Sequence, residues 1–144
     1  MVYKMFPYSF FKRCFLINFA DTAWQGPTLV IVRSSNGFTF GGYASASWNR
    51  KGSSISAAGS FVFWVENPQG RAPGCLDCAQ PQNALCGGGN GPFFDGQTGC
   101  VGIQGPTHYS QPTGAYPDTT GLGTALFTGS SHFSLDDYEV WAVA

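Results

Sequence analysis

The sequence has few charged side chains. Asp, Glu, Lys and Arg make up 10% of its 144 residues, with seven Lys or Arg against eight Asp or Glu and a formal net charge of −1. So few cations form no basic stripe that would neutralise phosphates, which speaks against nucleic acid as a partner. A net charge near zero also leaves little repulsion between molecules, which favours association with a protein partner.

Long hydrophobic runs are also missing. No stretch reaches the roughly 18–20 apolar residues that a membrane-spanning helix needs, so we expect no membrane span. The first twenty residues are basic at the start and largely apolar, but Pro7, Lys12, Arg13 and Asn18 interrupt any clean run. We expect residues 1–25 to form a divergent segment, a short helix or strand, that packs on the domain of a cytoplasmic protein. A degenerate signal or membrane anchor is the alternative.

Helical periodicity is absent beyond those first residues, whereas aromatic residues and glycine are abundant. The chain holds 13 Phe, 6 Tyr, 4 Trp, 20 Gly and 9 Pro, and 43% of it is hydrophobic. This length and apolar content suit one domain with a core of its own, and the wealth of turn residues predicts a mostly β fold.

The hydrophobic pattern predicts several strands. Residues 28–34 are β-branched and apolar, and the pair Asn36-Gly37 that follows predicts a hairpin whose return strand runs through residues 38–48. Residues 59–68 contain a strand that is apolar on both faces, so we expect it to be central and covered on both sides. Residues 100–105 predict a short strand, whereas the Gly-, Pro- and Cys-rich residues 67–99 predict a long loop or a series of turns.

The cysteines leave three interpretations open. Cys75 and Cys78 have the C-x2-C spacing of a zinc knuckle, and Cys86 and Cys100 are candidates for the remaining two ligands of a structural zinc. Free thiols or disulfides without a further role are the simpler interpretation. Redox catalysis lacks the strand-to-helix context that a reactive C-x-x-C normally has. We predict no other cofactor.

Catalytic groups are sparse. His132 follows Ser131 and precedes several acids, but the chain has no nucleophile motif, and local hydrogen bonding is the simpler role for both His108 and His132. A Glu66/Glu139 pair would be the candidate for glycosidase chemistry, which needs two acids facing each other across a cleft. A hydrolase is therefore the least favoured of the functions considered.

The carboxylates near the end of the chain belong to different local structures. Alternation places Glu139 on one strand face with Trp141 and Val143, whereas Asp136 and Asp137 are expected to precede the strand and shape a turn. A partly buried Glu139 needs a hydrogen-bonding or cationic partner, for which Arg33 is a candidate.

Aromatic residues near Gly-rich loops suggest a second function class. Exposed Trp48, Tyr109 and Tyr116 would stack on the rings of a ligand, as in a carbohydrate- or small-ligand-binding β-sandwich.

Three stretches in this order, residues 26–48, 59–68 and 129–143, resemble the TLDc domain family. They carry a Gly-Pro-Thr strand, an Asn-Gly hairpin with a Phe-Gly-Gly-Tyr return strand, a Ser-Phe-Val-Phe strand, and a closing Glu-Val-Trp strand. The resemblance implies that residues 26–144 form a β-sandwich of two antiparallel sheets with a few short helices.

The same resemblance implies a protein without established catalysis. Relatives act by binding proteins, among them subunits of the vacuolar-type proton ATPase, or protect against oxidative stress. We therefore predict a non-enzymatic, protein-binding domain, with Glu139, Trp141, Trp48 and Tyr43 as candidate binding residues. The residues before Gly26 and the Cys-rich insert depart from the family pattern.

Overall fold

The computed structural model describes residues 11–13, 26–48, 52–87, 91–104 and 107–143 of the protein. Within these residues, two single 3-10 turns, Pro81–Asn83 and Gly123–Ala125, accompany strands and loops. The strands are β1 (Phe11–Arg13), β2 (Thr28–Ser34), β3 (Thr39–Ala44), β4 (Ser54–Ile55), β5 (Phe61–Trp64), β6 (Gly74–Asp77), β7 (Leu85–Cys86), β8 (Phe93–Phe94), β9 (Val101–Gln104), β10 (Thr107–Ser110), β11 (His132–Phe133) and β12 (Leu135–Val143).

These strands form two antiparallel six-stranded sheets. The first sheet has the order β1-β12-β2-β3-β5-β6, and the second has the order β11-β10-β9-β8-β7-β4. Side chains from both sheets meet in one core, where the ring of Phe40 lies 5.0 Å from that of Phe133. The predicted β-sandwich is confirmed. Within the described ranges, no helix is long and apolar enough to cross a bilayer.

The β2–β3 hairpin forms where the Asn-Gly pair predicts it. Gly37 has a φ of 91°, which a residue with a side chain rarely adopts, and its N–H donates to the carbonyl of Ser34 at 2.9 Å. The N–H of Ser34 donates in turn to the carbonyl of Phe38. Asn36 keeps a negative φ, so the turn has one left-handed residue rather than the two expected of the shortest hairpins.

The predicted central strand is confirmed in β5, which lies between β3 and β6. Val62, Phe63 and Trp64 are all buried. Two glycines of β3 let large groups approach its backbone from opposite sides. A Cβ at Gly42 would meet the ring of Phe94 from the second sheet, and a Cβ at Gly41 would meet the backbone of Val30 and the ring of Phe63.

The closing strand starts earlier than expected. β12 begins at Leu135 and contains Asp136 and Asp137, so the prediction that these aspartates form a turn before the strand is wrong. The pairing of β12 with β2 shifts between Leu135 and Asp137, and this bulge accommodates one extra residue. The physical reason is long-range strand pairing, because β12 continues its register with β2 through the bulge and this brings Asp136 next to the Arg33 side chain.

Residues 67–99 are more ordered than a long loop. They contain β6, β7 and β8, each two to four residues long. Asp95 follows β8 in an unusual backbone conformation, with a φ of 67°, and only 2% of its surface is exposed. Its carboxylate accepts hydrogen bonds from the backbone N–H of Gln97 and from the N–H and hydroxyl of Thr98. These bonds compensate the strain of the left-handed backbone.

The N-terminal segment is described only in part. Phe11–Arg13 pair with Val143, Ala142 and Trp141 at the edge of the first sheet. The rest of the predicted segment, residues 1–10 and 14–25, lies outside the described residues, so the proposed boundary at residue 26 stays a prediction.

Candidate functional site

The first sheet has an outward side that is rich in aromatic side chains. Because side chains alternate along strands, the residues opposite the core lie on this side. The strand register forms one row across the sheet, in which Trp141, Leu29, Tyr43 and Phe61 follow one another. A second row passes through Glu139, Ile31, Gly41 and Phe63. We call these two rows the outer face.

Aromatic contacts organise the outer face. The rings of Tyr43 and Phe61 are stacked with centroids 5.3 Å apart and an interplanar angle of 28°. Phe63 lies beside Phe61 at 6.5 Å and crosses Gly41, where a Cβ would come within 3.0 Å of its ring. Tyr43, Phe61 and Trp141 are half-buried, so parts of their rings remain accessible.

Three of the four predicted binding residues, Tyr43, Glu139 and Trp141, lie on this face. The carboxylate of Glu139 accepts a hydrogen bond from the indole N–H of Trp141 at 3.0 Å, which orients both side chains. The expected pairing of Arg33 with Glu139 is wrong, because Arg33 lies 3.6 Å from Asp136 at the bulge of β12. That ion pair is exposed on both sides and contributes little to stability.

The fourth predicted residue, Trp48, is buried with 1% exposure. Its indole N–H donates to the hydroxyl of Thr28 at 2.8 Å, and its ring packs edge-on against Phe94. Tyr116 is fully buried as well and donates to the carbonyl of Ala84. The expectation that Trp48 and Tyr116 are exposed for ligand stacking is wrong, since both fill the core, whereas Tyr109 is half-buried.

The cysteines of the candidate zinc site do not gather in the described structure. Cys75 is exposed on the edge strand β6, and Cys86 is half-buried on β7 of the other sheet. Cys78 packs against the core, and Cys100 is buried. Within the described ranges no three His, Cys, Asp or Glu side chains are close enough to hold a metal ion. All four cysteines are free thiols, while Cys14 lies outside the described residues.

The protonation of these thiols also disfavours thiolate chemistry. Burial, reinforced by the charge of Asp77, raises the pKa of Cys75. Burial also raises the pKa of Cys100 well above its ordinary value, with Asp95 adding to the effect. Because the thiolate is both the nucleophile and the metal ligand, neither thiol is activated.

The histidines do not assemble a catalytic triad in the part of the chain that the structure describes. The Nδ1 atom of His132 hydrogen-bonds to the neighbouring Ser131 hydroxyl at 2.9 Å, and no carboxylate is bonded to this imidazole. His108 faces Phe133 between the sheets, its Nδ1 is buried without a partner, and burial lowers its pKa. His108 is therefore uncharged at neutral pH and has a structural role.

The glutamates are also poorly placed for glycosidase chemistry. β12, which carries Glu139, is three strands from β5, and Glu66 follows the end of β5. Three strand spacings separate the backbones by about 14 Å. Glycosidase carboxyls are about 5–9.5 Å apart, so this pair does not match either stereochemical class.

A family comparison agrees with this architecture of two sheets. The family model described as the TLDc domain matches residues 15–144, which is most of the chain. The chain belongs to the TLDc domain family. The match starts ahead of the boundary predicted at residue 26, before strand β2 of the TLDc domain.

Two curated proteins are similar to this TLDc chain. The MTOR-associated protein MEAK7 of Danio rerio is 30% identical over 124 residues, covering 83% of this chain and 27% of the relative. The MTOR-associated protein MEAK7 of Xenopus laevis is 30% identical over 127 residues, with the same coverage. The chain spans about a quarter of the length of these relatives.

Sequence reasoning missed two parts of the outer face of this TLDc domain. Phe61 and Ile31 lie between Tyr43 and Glu139 because β2, β3 and β5 are neighbours in the sheet. The alternation of apolar residues in β5 was a usable signal, because it placed Phe61 and Phe63 together on one side. That alternation does not indicate which other segments of the chain pair with β5.

Proposed function

We propose that this chain is a non-enzymatic, protein-binding TLDc domain that contacts its partner through the outer face. The observation that carries the proposal is the group of half-buried rings, Tyr43, Phe61 and Trp141, on the side of the first sheet that faces away from the second sheet. Tyr and Trp are enriched among residues that dominate binding energy at protein interfaces. Strand pairing holds these rings in place, so little conformational entropy is lost on binding.

The charges around these rings indicate the chemistry of the partner. Glu139 lies in the face, Asp137 lies two residues before it along β12, and Asp77 lies opposite Phe61 at the other end. The register of β1 places Arg13 beside Trp141, and the exposed Arg33 is paired with Asp136. An apolar centre whose edges carry charges of both signs favours a partner with apolar side chains and complementary charges at matching positions, because such charges raise the rate of association and fix orientation.

We infer a regulatory role for this binding. The relatives are MTOR-associated proteins by name, which supports a protein-bound assembly as the place of action. The family resemblance favours subunits of the vacuolar-type proton ATPase as the partner and protection against oxidative stress as the outcome. The four free thiols favour a reducing compartment such as the cytoplasm.

Non-enzymatic action is supported by the chemistry of the described residues. The histidine and carboxylate arrangements do not match a nucleophile, base and orienting group, and the two thiols with shifted pKa values are shifted away from reactivity.

The experiment compares binding by the full chain and two variants. The double variant Tyr43→Thr/Trp141→Thr removes two rings of the outer face while keeping residues that favour strands. Tyr109→Thr is the matched control, because Tyr109 is also half-buried in an antiparallel strand but lies on the second sheet. Each protein is immobilised and exposed to purified vacuolar-type ATPase, and bound subunits are quantified by mass spectrometry.

We expect the wild-type chain and the Tyr109 variant to retain ATPase subunits. The double variant should retain at least about tenfold less, because interface residues of this kind contribute about 2 kcal/mol or more. Equal retention by all three chains would show that the outer face is not the binding surface. If none of the three chains retains ATPase subunits, the ATPase is excluded as the partner. The same assay with an MTOR-containing assembly then tests the association named for the relatives.

A further inference from the structure

A cleft lies away from the outer face, between the β2–β3 turn and the segment that leads into β11. Its volume is about 370 Å³. Its walls are lined by Ser35, Asn36, Ser130, His132, Phe133 and Ser134, together with Thr128. The lining therefore combines hydroxyl groups and an amide with one imidazole and one phenyl ring, and it contains no formally charged side chain.

Hydrogen bonds fix the two walls of the cleft relative to each other. The amide Nδ2 of Asn36 donates to the carbonyl of Thr128 at 3.1 Å, and the N–H of Ser35 donates to the carbonyl of Ser134 at 2.8 Å. Asn36 is itself oriented by the hydroxyl of Ser34, which donates to its side-chain oxygen at 2.6 Å. The hairpin turn thus cannot move away from the opposite wall without breaking these bonds.

A buried hydroxyl network supports the second wall. The hydroxyls of Ser110 and Thr128 are 2.9 Å apart, and both lie within 3.1 Å of the Ser130 carbonyl, so that one hydroxyl donates to the other and the second donates to the carbonyl. This hydrogen-bond network fixes the backbone of Ser130, whose side chain is exposed to solvent. A site whose backbone is already ordered loses little conformational entropy when a ligand binds.

The groups that remain available suit a ligand with many hydroxyls. Serine hydroxyls both donate and accept hydrogen bonds, which matches the groups of a sugar ring. The Ser131 hydroxyl hydrogen-bonds to Nδ1 of His132 at 2.9 Å, which leaves the other imidazole nitrogen to donate to, or accept from, a sugar hydroxyl. The ring of His132 is in turn held against Tyr109, with centroids 4.9 Å apart. Phe133 also lines the cleft, but its ring is half-buried against Phe40 and His108, so the hydroxyl and imidazole groups are the main contacts offered to a sugar.

We propose that this cleft binds a neutral saccharide. An anion such as phosphate is the competing ligand, but it would have no Lys or Arg among the residues that line the cleft. The saccharide is either a free sugar or part of a glycan on another molecule, and both present the same hydroxyl chemistry. This site is separate from the outer face, so its failure and the failure of the proposed function are independent.

The test is ligand-observed NMR on the full chain. The probes are glucose, galactose, mannose and N-acetylglucosamine, their disaccharides, and inorganic phosphate at equal concentration. A glycan array run in parallel distinguishes a sugar attached to another molecule from a free one. We expect at least one sugar to bind with a Kd of roughly millimolar order, because a monosaccharide offers few contacts against the cost of association.

Variants then locate the binding. Ser130→Ala and His132→Ala should each weaken sugar binding by about 2- to 12-fold, the effect expected for one lost hydrogen bond. Ser53→Ala is the matched control, because Ser53 is an exposed serine next to β4 at the opposite edge of the second sheet. Thermal melts of all variants confirm that they remain folded.

Three results would overturn the proposal. They are the absence of binding by every sugar in both formats, sugar binding that Ser130→Ala and His132→Ala leave unchanged, and phosphate binding tighter than that of any sugar. A sugar that binds the wild-type chain and the Ser53 control but binds both cleft variants more weakly would support it.

Discussion

Replacement of Gly42 by alanine is expected to destabilise the protein by overpacking the space between its sheets. Gly42 lies on the core side of β3, and a Cβ there would come within 2.6 Å of three ring carbons of Phe94. Phe94 cannot move aside, because it is fully buried between Trp48 at 5.5 Å and Tyr116 at 6.2 Å. The φ of Gly42 is not in the left-handed region, so an alanine there fits the backbone and the added methyl group is the only perturbation.

The size of the effect follows from two opposing terms. Overpacking a filled core costs about 1–3 kcal/mol, and the rigid surroundings of Phe94 place this case at the upper end. Gly→Ala also reduces the entropy of the unfolded chain, which stabilises the fold by about 0.4–1 kcal/mol. We therefore expect a net loss of about 2 kcal/mol in the free energy of unfolding, and a Tm lower by about 7 °C for a domain of this size.

The measurement is urea and thermal unfolding followed by circular dichroism, with Gly102→Ala as the matched control. A Cβ at Gly102 would also meet an aromatic ring, that of Phe93, but this ring is half-buried on the outside of the second sheet. Phe93 can rotate toward solvent, so the control should lose less than about 1 kcal/mol. If Gly42→Ala is as stable as the wild type, or Gly102→Ala is the less stable variant, the packing argument is refuted.

Further predictions concern charge, metal and core packing. Although burial opposes it, hydrogen bonds from Gln97 and Thr98 lower the pKa of Asp95. Its stabilising effect should therefore be present above the unfolded pKa of about 4 and be lost as pH falls through the folded value. Asp95→Asn should flatten this part of the pH dependence of urea unfolding, and an unchanged acid limb would contradict the assignment. Glu139→Gln keeps an acceptor for the Trp141 indole, so calorimetry should show a small change in Tm and the partner assay a larger loss of binding; the reverse order would identify Glu139 as a structural anchor. Elemental analysis of the purified chain should find less than one zinc per molecule, because Cys75, Cys78, Cys86 and Cys100 do not gather; one tightly bound zinc per chain would overturn this. Phe40→Ala should cost about 3–5 kcal/mol in chemical denaturation, since Phe40 is fully buried against Phe127 and Phe133, and a cost under 1 kcal/mol would contradict its place in the core.

The parts of the fold that depend on local chemistry were predictable from the sequence. Thr28–Ser34 is a strand with the predicted bounds, because its β-branched run and the Asn36-Gly37 turn act over a few residues. The central position of β5 followed from its two apolar faces. The family resemblance then supplied the arrangement in two sheets, which local patterns leave open.

The remaining features depend on pairing between distant segments. Strands β7 and β8 have two residues each, too few to show alternation, and they form because neighbouring strands supply their hydrogen bonds. Asp136 belongs to a strand rather than a turn because Arg33 lies across from the bulge. No spacing along the chain carries that information.

The candidate site was predictable to a similar extent. Glu139 and Trp141 were assigned to one strand face from alternation, and the structure adds Tyr43 and Phe61 through cross-strand pairing. Trp48 follows β3 at the start of a loop, where alternation no longer indicates a direction, and the acceptor that holds it inside, Thr28, is 20 residues away. Contacts between segments that are distant in the sequence also explain why the cysteine spacing did not reveal that the four cysteines of the described structure form no common metal cluster.

Site-specific photocrosslinking tests most directly whether the outer face binds a protein partner. The full chain would carry a photoreactive phenylalanine analogue at Tyr43 in one version and at Tyr109 in the other, and be irradiated in the native cell before mass spectrometry. The account predicts that one partner is crosslinked from position 43 and not from position 109. Crosslinking of the same proteins from both positions, or from position 109 alone, would contradict it.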